Sequence, residues 1–136
     1  IEYSSKILTQ ILDELFSEEF NAHESFLFGF SQGSLLTFEF GARYEKKLAG
    51  YIAVSGYIYD ADKLLVDMNK DLSNANWLCT HGKQDNVLAF DVSKEQVKIL
   101  QDGGFKIDFK AYNKDHSIDS DELKMISTWI KDIMQK

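Results

Sequence analysis

Ser25-Phe26-Leu27-Phe28-Gly29-Phe30-Ser31-Gln32-Gly33-Ser34 is the stretch from which the rest of the chain is read. Residues 25–30 form a short apolar run of the kind expected of a strand buried on both faces. The run passes directly into Gly29-Phe30-Ser31-Gln32-Gly33, and residues 34–47 then take on helical patterning. Arg43, Lys46 and Lys47 suit the last turn of such a helix. A strand that becomes a helix within a few residues is the start of a strand–helix–strand unit, so the flanking sequence should repeat the alternation. It does. Upstream, Ile7, Leu8, Ile11, Leu12, Leu15 and Phe16 recur at helical spacing and predict an amphipathic helix over residues 4–19. Downstream, strands are predicted over 50–54, 77–80 and 106–111. Helices are predicted over 60–69, over 90–101 before Gly103-Gly104, and from Asp119 to about residue 134. Asp119 with Glu122 three residues on is a capping-box pair. One helix followed by four strand–helix units implies a parallel sheet with helices on both faces and right-handed crossovers. In such sheets reactive groups gather at the carboxyl ends of the strands.

Bulk properties narrow the function classes. The 136 residues are 44% hydrophobic and 13% aromatic, which suits one domain, over 1–136, with a real core. A formal net charge of -7 repels phosphate backbones and anionic membrane surfaces, so nucleic acid is not an expected partner. No apolar run reaches the length of a membrane span, so stable membrane insertion is not expected either. Cys79 is the one cysteine, which rules out an internal disulfide and makes a reducing, cytoplasmic setting the expectation. The chain has no proline and begins Ile1-Glu2-Tyr3 without an initiator methionine. The expectation is a piece of a longer polypeptide.

The strand ends carry the chemistry. Gly29-x-Ser31-x-Gly33 between a strand and a helix is a turn so tight that the serine adopts a strained backbone and projects its hydroxyl above the sheet. The two glycines are expected to relieve crowding between strand and helix. The Gln32 N–H, at the helix start, would point toward a developing oxyanion. Asp85 lies just beyond the strand ending in Thr80-His81-Gly82, where a carboxylate can orient an imidazole. His116 lies on the loop after the last strand, where a general base can reach Ser31. The order Ser31, Asp85, His116 matches the order this strand–turn–helix setting predicts. The other candidates fit less well. His23 precedes the first strand at its amino end. His81 is read as a structural hydrogen-bonding group, and Cys79 as an inert core thiol. Asp108 lies within a strand and Asp115 adjoins His116 in sequence, and neither placement suits clamping the ring from behind. Histidines and carboxylates nowhere show metal-ligand spacing, so no metal and no other cofactor is expected.

Phe28-Gly29-Phe30-Ser31-Gln32-Gly33-Ser34 and Lys47-Leu48-Ala49-Gly50-Tyr51-Ile52-Ala53-Val54-Ser55-Gly56 resemble the phospholipase/carboxylesterase family, which includes acyl-protein thioesterases. His81-Gly82-Lys83-Gln84-Asp85 resembles its acid loop, and Tyr112-Asn113-Lys114-Asp115-His116 its histidine loop. The resemblance covers nearly the whole chain. It implies the C-terminal half of an α/β-hydrolase fold, with upstream strands missing. It also implies hydrolysis of small carboxylic esters or acylated thiols through an acyl-enzyme on Ser31, with His116 as base and Asp85 as orienting acid.

Two departures stand out. Asn86-Val87-Leu88-Ala89 replaces a pattern in which the family has proline after the acid and again shortly beyond. The family's second oxyanion donor comes from an upstream loop, and losing one such donor typically costs roughly 100- to 1000-fold in turnover. Without upstream strands, Phe26, Leu27 and Phe28 would line an exposed apolar edge. Pairing of that edge with the missing strands, or with a second copy in a homo-oligomer, is the expectation. The rival function is a catalytically silent hydrolase-like binding module. An acyltransferase or peptidase on the same fold would carry the same triad. Phe30, Tyr57 and Tyr59 are candidates for part of an acyl pocket.

Overall fold

The computed structural model describes residues 1–72 and 74–136. The elements run α1 (Glu2–Ser17), β1 (Phe26–Phe30), α2 (Gln32–Gly41), β2 (Gly50–Val54), α3 (Ala61–Asp67), β3 (Trp77–Gly82), α4 (Phe90–Asp102), β4 (Ile107–Tyr112) and α5 (Ser120–Met134), with short 3-10 turns at Ala22–Glu24 and Lys70–Leu72. The four strands form one parallel sheet in the order β1-β2-β3-β4. The α/β reading therefore holds, and so does the series of four strand–helix units.

Alternate residues of each strand face opposite helical layers. Tyr51, Ala53, Trp77, Cys79 and Ile107 belong to the larger core, with Phe38 of α2, Leu64 of α3 and Val97 and Leu100 of α4. At its centre Trp77 stacks between Phe38 and Tyr51, with ring centroids 5.0 and 4.2 Å away. The opposite face is covered by α5, whose Ile126, Trp129 and Ile130 pack with Ile52, Val54 and Leu78. The Asp119–Glu122 capping box that starts α5 forms as expected, with Glu122 N–H donating to Asp119 Oδ1 at 2.8 Å.

Two expectations are corrected. The first helix after Ser31 stops at Gly41, so Arg43, Lys46 and Lys47 lie beyond its last turn. Arg43 instead spans from Glu39 Oε2 (2.5 Å) to Asp67 Oδ2 (3.0 Å), tying the end of α2 to α3. The strand over 26–30 is not buried on both faces. It is the edge of the sheet, with Phe26 and Leu27 half-buried, Phe28 44% exposed and Phe30 36% exposed. The apolar run reads as a central strand, but among the described residues β1 pairs only with β2.

The register brings the working ends together. Phe30 pairs with Val54, Val54 with Thr80, and Gly82 with Tyr112. The loops after β1, β3 and β4 thus all leave from the carboxyl end of the parallel sheet.

Candidate active site

Ser31 sits between the last residue of β1 and the first of α2, at φ 60° and ψ -113°. A non-glycine residue at positive φ costs on the order of 1–3 kcal/mol and must be held there by its surroundings. Ser31 N–H donates to Val54 O at 2.9 Å, extending the β1–β2 ladder by one bond. Ser31 O accepts from Ser34 and Leu35 N–H at 3.0 and 3.3 Å. A side chain on Gly29 would place its Cβ 2.0 Å from Gly33 O and 2.5 Å from Thr37 Oγ1, so strand and helix can approach only because Gly29 has none. Gly33 is different. A Cβ there would meet nothing within 4 Å, so the expectation that both glycines relieve crowding holds for Gly29 alone. The Gln32 N–H belongs to the first turn of α2, where donors have no intrahelical acceptor.

Asp85 follows β3 by three residues, and its side chain is fully buried. Its Oδ1 accepts from the N–H groups of Val87 (2.9 Å) and Leu88 (2.8 Å), which leaves Oδ2 for the Nδ1 of His116 at 2.8 Å. Burial opposes the Asp85 charge. The Leu88 N–H, His116 and the Val87 N–H outweigh it and hold the carboxyl below the usual aspartate value. The replaced prolines leave this turn intact, since the two donors come from Val87 and Leu88.

His116 completes the series. Its Nε2 lies 2.9 Å from Ser31 Oγ, and the Phe30 ring packs against the imidazole with centroids 5.1 Å apart. With Nδ1–H donating to Asp85, the Nε2 lone pair faces the serine hydroxyl, the arrangement a general base needs. The loop carrying His116 is laced to the acid loop by Lys83 N–H to Tyr112 O (2.8 Å) and Gln84 N–H to Lys114 O (3.1 Å).

The lesser candidates separate cleanly. His81 is buried, with Nε2 2.7 Å from Leu88 O and 3.3 Å from Asp85 Oδ2, which braces the acid turn from below. His23 is exposed in the turn before β1 and lies away from the carboxyl ends. Burial pushes the Cys79 thiol up to about 12, consistent with an unreactive core residue. Asp108 accepts from Trp129 Nε1 at 3.0 Å on the face covered by α5. Phe30 flanks His116, whereas Tyr59 is 69% exposed and reaches none of the three site residues. Sequence reasoning missed Ser55, at φ 53° beyond β2, and the side chains of Lys114 and Glu122, which form a buried ion pair at 3.0 Å. It also missed Gly56 and Gly82. A Cβ on Gly56 would meet Ser34 Cβ at 2.2 Å, and one on Gly82 would meet Lys114 O at 2.3 Å. Nothing in local pattern signals these, because each is defined by a contact with a distant loop.

A family model described as phospholipase/carboxylesterase matches residues 1–134. Carboxylesterase SOBER1 of Arabidopsis thaliana is 31% identical over 122 residues, covering 89% of this chain and 54% of that protein. Acyl-protein thioesterase 1 of Debaryomyces hansenii is 28% identical over 128 residues, covering 93% and 55%. The crystal structure of Arabidopsis thaliana SOBER1 superposes with a TM-score of 0.91 at 29% identity, covering 97% of this chain and 63% of that one. The chain spans about half the length of the curated relatives it matches.

Proposed function

The chain belongs to the phospholipase/carboxylesterase family, and on that premise we propose that Ser31, His116 and Asp85 form the catalytic triad of a serine hydrolase acting on carboxylic esters or thioesters. The observation that carries this reading is the continuous hydrogen-bonded series from Ser31 Oγ through His116 to Asp85 Oδ2, at 2.9 and 2.8 Å. As Ser31 Oγ attacks the acyl carbon, His116 Nε2 takes its proton, and the carbonyl oxygen becomes an oxyanion facing the Gln32 N–H. Collapse breaks the bond to the alcohol or thiol, which leaves with the proton from His116. The acyl group remains on Ser31. Water then adds to the acyl carbon while giving a proton to His116, and the acid departs as that proton returns to Ser31. Asp85 stays ionised throughout and keeps Nδ1–H as the donor to itself. The relatives' names, carboxylesterase and acyl-protein thioesterase, support the choice of ester and thioester substrates.

A fluorophosphonate probe followed by peptide mapping tests the assignment. The expected result is labelling at Ser31 that disappears in Ser31→Ala and falls at least about 100-fold in rate in His116→Ala. A folded chain that takes no label would point either to a need for the family's upstream oxyanion donor or to a silent hydrolase-like binding module; a chain carrying the upstream strands that still takes no label would overturn the proposal in favour of the module.

A further inference from the structure

Ser31 is held at the end of β1 and Asp85 by the N–H groups of Val87 and Leu88, but His116 lies on the loop after β4 and needs another anchor. Two residues before it, Lys114 points inward, with only 4% of its side chain exposed. Its Nζ donates to Glu122 Oε1 at 3.0 Å, to Ser55 Oγ at 3.0 Å, and to Ser117 O. An ammonium group has three donors, and here all three are used. The three acceptors come from different places. Ser55 stands beyond the carboxyl end of β2, Ser117 directly follows His116, and Glu122 lies in the first turn of α5 with its side chain fully buried. The main chain of Lys114 has a further contact, its carbonyl receiving the N–H of Gln84, the residue before Asp85.

We propose that Lys114, paired with Glu122, is the positioning residue that fixes the His116 loop against β2, α5 and the acid loop. The inference rests on the triad reading given above. Burying two charges is costly, and a well-packed apolar pair of similar size often serves stability as well or better. The ion pair's specific contribution is direction: bonds to the end of β2, to α5 and back to the loop's own Ser117 set where the loop backbone runs on both sides of His116. A displacement of about 1 Å in a reacting group can cost on the order of 100-fold in rate.

The test compares the wild-type chain with Lys114→Met and with the double variant Lys114→Met/Glu122→Met. Three readouts are used: melting temperature, the low-field proton resonance of His116 Nδ1–H (assigned by its loss in His116→Ala), and the rate of fluorophosphonate labelling. Lys114→Met strands a buried carboxylate and is expected to melt lower. The double variant should recover the melting temperature yet lack the resonance and label at least about tenfold more slowly. A double variant that keeps both resonance and labelling rate would reduce the pair to a packing role and overturn the proposal. If the wild type shows the resonance, the double variant loses it and neither takes label, the clamp stands and the hydrolase reading passes to the chain carrying the upstream strands. Should the double variant fail to fold, Ser55→Ala removes one of the three bonds without stranding a charge. It is expected to slow labelling about threefold and to lower the melting temperature, because one donor of the buried ammonium loses its acceptor, and wild-type labelling there would equally overturn the clamp.

Discussion

Gly29 and Gly33 flank Ser31 symmetrically in sequence, yet their surroundings differ sharply. A methyl group on Gly29 would collide with the backbone oxygen of Gly33, and the strand or the helix would have to move. A methyl group on Gly33 enters open space, and Gly33 is not at positive φ. Gly29→Ala is therefore expected to cost about 3 kcal/mol and to slow labelling of Ser31 by displacing the elbow. Gly33→Ala is expected to be neutral or to stabilise by up to about 1 kcal/mol, because alanine is the better helix former. Chemical denaturation of the two variants checks both, and equal destabilisation would contradict this account of the elbow. The pair also shows how far a motif can be read. Ser31, Asp85 and His116 were legible because each follows a predictable strand, and their order suits one fold. Which glycine is indispensable depends on the distance between β1 and α2, and no local pattern encodes that.

The elements follow their patterning closely where the pattern is local. The capping pair at Asp119 and Glu122, the strand Gly50–Val54 and the helix before Gly103 each depend on neighbouring residues and were readable in advance. α2 stops short of its pattern at Gly41, and Arg43 beyond it ties the end of the helix to α3 through Asp67 while donating back to Glu39. The start of α4 offers a test at this scale. Ala89 caps that helix with φ -58°, which a proline would adopt without strain, and among the described residues its N–H donates to no acceptor. Ala89→Pro is expected to stabilise the chain by about 0.4–1 kcal/mol by restricting the unfolded state, a rise of about 2 to 4 °C in melting temperature. The labelling rate should not change, because the donors to Asp85 are Val87 and Leu88. A fall in melting temperature would mean that the turn cannot accept the ring.

At the scale of the whole molecule, the carboxyl ends of three strands converge on Ser31, while the edge of the sheet formed by β1 is left open. β1 offers unpaired main-chain groups along its outer edge, with Phe28 and Phe30 exposed beside it. α1 packs against α2. It is amphipathic, yet none of its residues is buried, and Tyr3, Ile7, Ile11 and Leu15 form a stripe at four-residue spacing that is between 37% and 76% exposed. Only Phe16 packs into the main core, and Asp13 ties the helix to Tyr44 at 2.6 Å. An open strand edge is a surface that recruits further strands, and an exposed apolar helix face adds a second surface for a partner, whether from a longer polypeptide or from a second chain. The 136-residue chain alone is therefore expected to self-associate as its concentration rises, seen by sedimentation velocity as a growing weight-average mass. Placing charges on these surfaces with Phe28→Lys and Ile11→Lys should shift the distribution toward monomer and leave the melting of the sheet nearly unchanged, because both side chains are already exposed. A wild-type chain that remains monomeric at every concentration tested would show that these surfaces are self-sufficient. In that case the exposed phenylalanines would need another explanation, such as contact with the acyl group bound at Ser31, which Phe30 adjoins through His116.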